Sequence, residues 1–153
     1  MPIPVTIAGQ WRSHLYCGTL GMTVQIKRPC VLIVEDYRLA REMYRTTLED
    51  AGFDVLEAAD GVEALLRVRE TVPDLILMDL SMPLMDGWEA TTYLKSDSRT
   101  AGIPIVVLSA STRDYTAEEI TRAGCVALVS KPCLPSELIQ EIRQRLSVEP
   151  AGA

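Results

Sequence analysis

Leu75-Ile76-Leu77-Met78-Asp79-Leu80-Ser81-Met82-Pro83-Leu84-Met85-Asp86-Gly87 is the stretch on which the fold turns. Its first four side chains are all apolar, which predicts a strand covered on both faces, since a half-exposed strand would alternate. The strand ends on a carboxylate, Asp79. Asp86-Gly87-Trp88-Glu89 then places an acid three residues ahead of a glutamate, the pattern of a capping box, and predicts a helix running to about Lys95. A doubly buried strand handing over to a helix is the repeating unit of a parallel sheet.

The same unit recurs on both sides. Upstream, Val31-Leu32-Ile33-Val34 is a second continuous apolar run, followed by Glu35-Asp36. A helix with Ala40, Met43, Tyr44, Thr47, Leu48 and Ala51 on one face comes next, closed by Gly52. Asp54 to Ala58 reads as a strand, and Asp60 with Glu63 opens a helix with Leu65, Val68 and Val72 facing inward, stopped by Pro73. Downstream, Ile105 to Leu108 is a strand delivering Ser109, and a helix over about Tyr115 to Ala123 is closed by Gly124. Val126 to Val129 is the last strand, ahead of Lys131, and Pro135 starts a final helix with Leu138, Ile142 and Leu146 inside. Five strand–helix units in strict alternation define an α/β fold. It is a doubly wound five-stranded parallel sheet in the order 2-1-3-4-5, with helices on both faces. Residues 1–28 read as an irregular, mobile leader, residues 29–147 as the folded domain and residues 148–153 as a tail.

Composition narrows the function. The 153 residues carry a net charge of −6, and the leader contributes Arg12, Lys27 and Arg28 without an acid, so the domain is more acidic than the whole. A nucleic-acid module needs the opposite, a basic face that displaces phosphate counterions. No apolar run is long enough to span a membrane. The four cysteines, Cys17, Cys30, Cys125 and Cys133, form no CxxC pair, and the single histidine, His14, sits in the leader, which disfavours zinc sites and histidine-based triads. Free thiols point to a reducing, cytoplasmic setting. Met43 and Met78 read as core filler, Met82 and Met85 as loop packing.

Ligands of such sheets bind beyond the carboxyl ends of the strands, at the point where strand order reverses. Glu35 and Asp36 end the first strand, Asp79 the third, Ser109 the fourth and Lys131 the fifth. The first and third strands are neighbours in this order, so three carboxylates converge. At about 4 Å and an effective dielectric near 20, each like-charge pair costs roughly 4 kcal/mol. Lys131 answers one charge only. A divalent cation answers the rest, and an all-oxygen, partly hydrated donor set suits Mg²⁺.

Residues 30 to 147 resemble the receiver domain of two-component response regulators. The matching pieces are Val34-Glu35-Asp36, the stretch from Asp79 through Met82-Pro83 and Met85 to Asp86-Gly87, Leu108-Ser109-Ala110 and Ser130-Lys131-Pro132. The resemblance implies a flavodoxin-like fold of the CheY type and a non-enzymatic phosphoacceptor role in two-component or phosphorelay signalling. Asp79 would take the phosphoryl group from a phosphohistidine on a sensor kinase or phosphotransfer protein. Glu35, Asp36, Asp79 and the backbone carbonyl of Ser81 would hold Mg²⁺. Ser109 and Lys131 would contact phosphoryl oxygens, and Lys131–Pro132 would be cis. A homodimer is compatible with the resemblance, and the downstream target is left open.

Departures accompany the match. Leu128 stands where the family often carries an aromatic switch residue, so the switch falls to Ser109 and Leu128. Ser81 and Ser111 occupy positions that tune the lifetime of the phosphoryl group, and Leu134 is a poor helix cap before Pro135. An aspartyl-phosphate hydrolase of the haloacid-dehalogenase type would need an acid where Ser81 stands. A flavodoxin-type binder would need a Ser/Thr/Gly-rich cradle where Glu35-Asp36 stands. A docking-only pseudo-receiver would not need the five polar residues intact. With seven residues after Leu146, the sequence reads as a stand-alone receiver that acts by docking or by relay.

Overall fold

The computed structural model describes residues 27–111 and 115–146, and the backbone of residues 14–16 and 23–25. Two short strands, β1 (His14–Tyr16) and β2 (Thr23–Gln25), pair antiparallel within the stretch that reads as an irregular leader. That is a correction: alternation over only three residues per strand is too short to register as a period. The remainder of the leader and residues 147–153 lie outside the described residues, as does the leader's expected mobility.

The domain is built from β3 (Cys30–Val34), α1 (Arg38–Asp50), β4 (Asp54–Ala58), α2 (Gly61–Glu70), β5 (Leu75–Asp79) and α3 (Gly87–Ser96). It continues through β6 (Ile105–Ser109), α4 (Ala117–Arg122), β7 (Ala127–Ser130) and α5 (Pro135–Leu146). The sheet is parallel throughout, in the order β4-β3-β5-β6-β7, which is the 2-1-3-4-5 order expected. Every residue of β3, β5 and β6 is buried, as their unbroken apolar runs require.

Alternate side chains of these strands feed two cores. Leu32, Val34, Ile76, Met78, Ile105 and Val107 meet Ala64 and Val68 of α2, Ala90 and Leu94 of α3, and Ile120 of α4. Val31, Ile33, Leu75, Leu77, Val106 and Leu108 meet Tyr44 and Leu48 of α1 and Leu138 and Ile142 of α5. Each such side chain contributes roughly 1.5–3 kcal/mol when fully buried, and together they fix the strand ends as a rigid rim. Gly52 and Gly124 adopt φ of 96° and 85°. There Phe53 N–H reaches back to Leu48 C=O (3.0 Å), and Cys125 N–H to Ile120 C=O (3.1 Å), closing α1 and α4.

Two inward assignments do not hold. Met43 is 51% exposed, since the buried stripe of α1 is Tyr44 and Leu48 and Met43 lies a further 100° round the helix. Val72 is 61% exposed. α2 has ended at Glu70 and Thr71 is extended, so a spacing of four from Val68 no longer means the same face. Cys30 and Cys125 are buried free thiols and Cys133 is half-buried; burial and nearby carboxylates push the Cys30 thiol up to about 11. Cys17 lies outside the described residues.

Candidate functional site

Parallel register brings the strand ends level: Val34 pairs with Met78, Asp79 with Leu108 and Ser109 with Ser130. The residues just beyond these ends therefore share one rim. A carboxylate oxygen from each of Glu35, Asp36 and Asp79 lies within 4.8 Å of the other two. Glu35 and Asp79 are buried, at 2% and 4% exposure, while Asp36 is open to solvent. The sequence-predicted acids are thus brought together, two inside and one at the mouth.

Lys131 crosses from β7 to meet them. Its ammonium donates to Glu35 Oε2 at 2.6 Å and stands 3.4 Å from Asp79 Oδ2. The Lys131–Pro132 bond is cis, and Lys131 N–H donates to Ser109 C=O at 2.8 Å. Burial opposes the charge on Lys131, but the hydrogen bond and negative charge of Glu35, with Asp79 behind, outweigh it and hold the ammonium above its ordinary pKa. For Glu35, burial is the largest influence, and with the adjacent Asp79 charge it raises the carboxyl. Lys131 and Tyr37 N–H act in the opposite direction without cancelling it. One lysine does not neutralise the pocket.

The remaining polar groups are held close by. Asp79 Oδ1 accepts from Ser81 N–H at 3.2 Å, which turns the chain sharply after β5. Ser109 is buried at the end of β6, and its hydroxyl donates to Ser111 C=O (3.1 Å) and accepts from Ser111 N–H (3.2 Å). Leu128, opposite Val107 in the sheet, is half-buried against the core under α2, α3 and α4. The loop from Asp79 to Gly87 closes on itself, with Gly87 N–H donating to Leu80 C=O at 3.2 Å. A Cβ at Gly87 would fall 2.2 Å from the Asp79 carbonyl oxygen, so only glycine permits this approach. Leu84, at the loop's tip, is 91% exposed with φ of 68°, a left-handed conformation that costs a leucine on the order of 1 kcal/mol.

Two charged residues behind the pocket escape a reading of the sequence. Arg41 Nη1 donates to Glu35 C=O at 2.8 Å, and its Nε lies 3.3 Å from Glu57 Oε1. The one signal for them is Glu57 itself, an acid in the interior of a β-strand, which asks for a partner. Tyr115, missed as a contact, places its ring 5.2 Å from Trp88 at 59°.

An open parallel sheet with an acidic pocket and a lysine at its reversal point defines the receiver class of two-component signalling. A family model for the response regulator receiver domain matches residues 31–143, and the chain belongs to that family. The polar-differentiation response regulator DivK of Brucella anthropi is 37% identical over 116 residues, covering 76% of this chain and 94% of DivK. The chemotaxis protein CheY4 of Vibrio cholerae superimposes with a TM-score of 0.74 at 32% identity, over 78% of this chain and 100% of CheY4. The receiver domain of a Pseudomonas aeruginosa sensor histidine kinase matches with a TM-score of 0.73 at 26% identity, over 80% of this chain and 100% of that domain. In its crystal structure a magnesium ion is coordinated in the active site cleft. Receiver domains are signalling modules that take phosphate from histidine kinases or phosphotransfer proteins. Among the described residues no helix is long and apolar enough to cross a membrane.

Proposed function

We propose that Asp79 accepts a phosphoryl group from a phosphohistidine protein, with Mg²⁺ held by Glu35, Asp36, Asp79 and the Ser81 carbonyl. The phosphorylated domain then signals by docking on a target or by relay to another histidine. The observation carrying this reading is the gathering of three carboxylate oxygens within 4.8 Å beside a single lysine. The donor set is all oxygen, partly buried and short of positive charge, which fits a hard, hydrated divalent cation. When bound, Mg²⁺ supplies charge neutralisation for the pocket and for a transferring phosphoryl group.

The chain's own groups do the rest. A carboxylate oxygen of Asp79 attacks phosphorus, a P–O bond forms as the P–N bond to the donor imidazole breaks, and that nitrogen keeps the electron pair. Lys131, already 3.4 Å from Asp79, is placed to pair with a phosphoryl oxygen. Ser109 donates to one only by giving up its bond to the Ser111 carbonyl, so its hydroxyl is the group that reports occupancy. The test is labelling by a small phosphodonor. Wild type is expected to be labelled only with Mg²⁺ present, and Asp79→Asn not at all, with its circular dichroism unchanged. Undiminished labelling of Asp79→Asn would overturn the assignment.

A further inference from the structure

We infer that Arg41, anchored by Glu57, is a positioning residue for the cation pocket; this rests on the Mg²⁺ reading above. At the end of β3, Glu35 N–H still has a sheet partner, donating to Ala58 C=O at 3.1 Å. Glu35 C=O lies one step beyond the ladder, where no neighbouring strand among the described residues supplies a donor. Glu35 is buried, and a buried carbonyl without a donor is costly. Arg41, on the first turns of α1, fills the vacancy at 2.8 Å.

What Arg41 holds is the peptide between Glu35 and Asp36. Two of the three converging carboxylates hang from the two ends of that peptide, so its orientation sets where both can point. Glu57 keeps the guanidinium from rotating away: Oε1 sits 3.3 Å from Arg41 Nε, while Oε2 faces Arg45 Nη1 at 3.6 Å. The Arg41 side chain is 18% exposed, so the contact is not a loose surface pair. Edge strand, first helix and acidic rim are thereby tied through one planar group with several fixed donors.

Charge and position predict opposite results. Arg41 is a cation behind a cation site, so on charge alone its removal would tighten Mg²⁺ binding. As a positioning group, its removal weakens binding; loss of a group that orients a metal ligand typically costs tenfold or more. The experiment is calorimetric Mg²⁺ titration of wild type, Arg41→Ala and Arg41→Lys, each with a thermal melt. Arg41→Ala is expected to bind about tenfold more weakly. Arg41→Lys, which keeps a donor for the Glu35 carbonyl, should recover most of that loss whatever its melting temperature. Unchanged or tighter binding by Arg41→Ala, or a lysine variant no better than the alanine one, would overturn the brace alone. No Mg²⁺ binding by wild type would overturn the reading beneath it, and the brace with it.

Discussion

Glu35 is 2% exposed, lies 2.6 Å from the Lys131 ammonium, and still has its carboxyl raised above the ordinary glutamate value of 4.5. A carboxyl raised in the folded state binds more protons there than in the unfolded chain as pH climbs past 4.5. Folding stability without metal therefore falls as pH rises through that window, and levels off once Glu35 is ionised in both states. Urea midpoints measured in EDTA at about pH 5 and about pH 8 should show this decline in wild type. Glu35→Gln should show less of it, and an equal decline in both would place the effect elsewhere. The three acids and Lys131 were legible in the sequence because each stands at the carboxyl end of a strand or within two residues of it, where topology sets its position. Arg41 was not, because its role depends on where a helix face meets a carbonyl that has run out of ladder.

The site loops are held by the helices they lead into. Trp88 opens α3 and Tyr115 precedes α4, and their rings meet at 5.2 Å, tying the loop after Asp79 to the loop after Ser109. Such a tilted pair is worth about 0.5–1.5 kcal/mol beyond the area it buries. In a Trp11→Phe background, which leaves Trp88 as the one indole, Tyr115→Leu should shift emission to the red and lower stability by about 1 kcal/mol. Unaltered emission would mean that the contact does not order the loop. The five parallel strands and their order were readable, since four apolar residues in succession, as in β3, β5 and β6, admit few alternatives, whereas the short β1 and β2 were not. Helix starts were read less completely. Asp60 and Asp86 cap as expected, accepting from Glu63 and Glu89 N–H at 2.8 Å each, but Glu63 returns to Ala59 N–H instead. The complete box is Thr116 with Glu119, inside a helix placed two residues too early. Leu134 offers no capping side chain, and Glu137 reaches back to its N–H at 3.1 Å. A carboxylate two or three bonds long can serve either of two adjacent amides, which sequence spacing does not distinguish.

For the domain to signal, a charge placed on Asp79 has to be felt at its outer surface. A phosphoryl group adds about −1.5 to −2 charges and three acceptors. Ser109, which now spends its hydroxyl on Ser111, is a group at the same rim able to exchange partners, and moving it carries Ala110 and Ser111 along; Thr112 lies outside the described residues. Leu128 is packed against the core and has no hydroxyl drawing it outward, so it should remain inward in both states. Ser109→Ala is expected to weaken phosphorylation-dependent partner binding more than Leu128→Ala does, measured by pull-down with and without phosphodonor. If Leu128→Ala alone abolished the response, the side chain would be a gate and the loop after β6 a bystander.

The clasp between Gly87 and the chain just after Asp79 joins backbone to backbone, through the Gly87–Leu80 hydrogen bond and the space left by a missing Cβ. The backbone that carries Asp79 is therefore registered against the start of α3, and of the residues between them Ser81 holds the carboxylate itself, through its N–H. Pro83 and Leu84 stand outside the knot in solvent, so exchanging the leucine side chain at the tip of the loop is expected to leave the Asp79 carboxylate where it is.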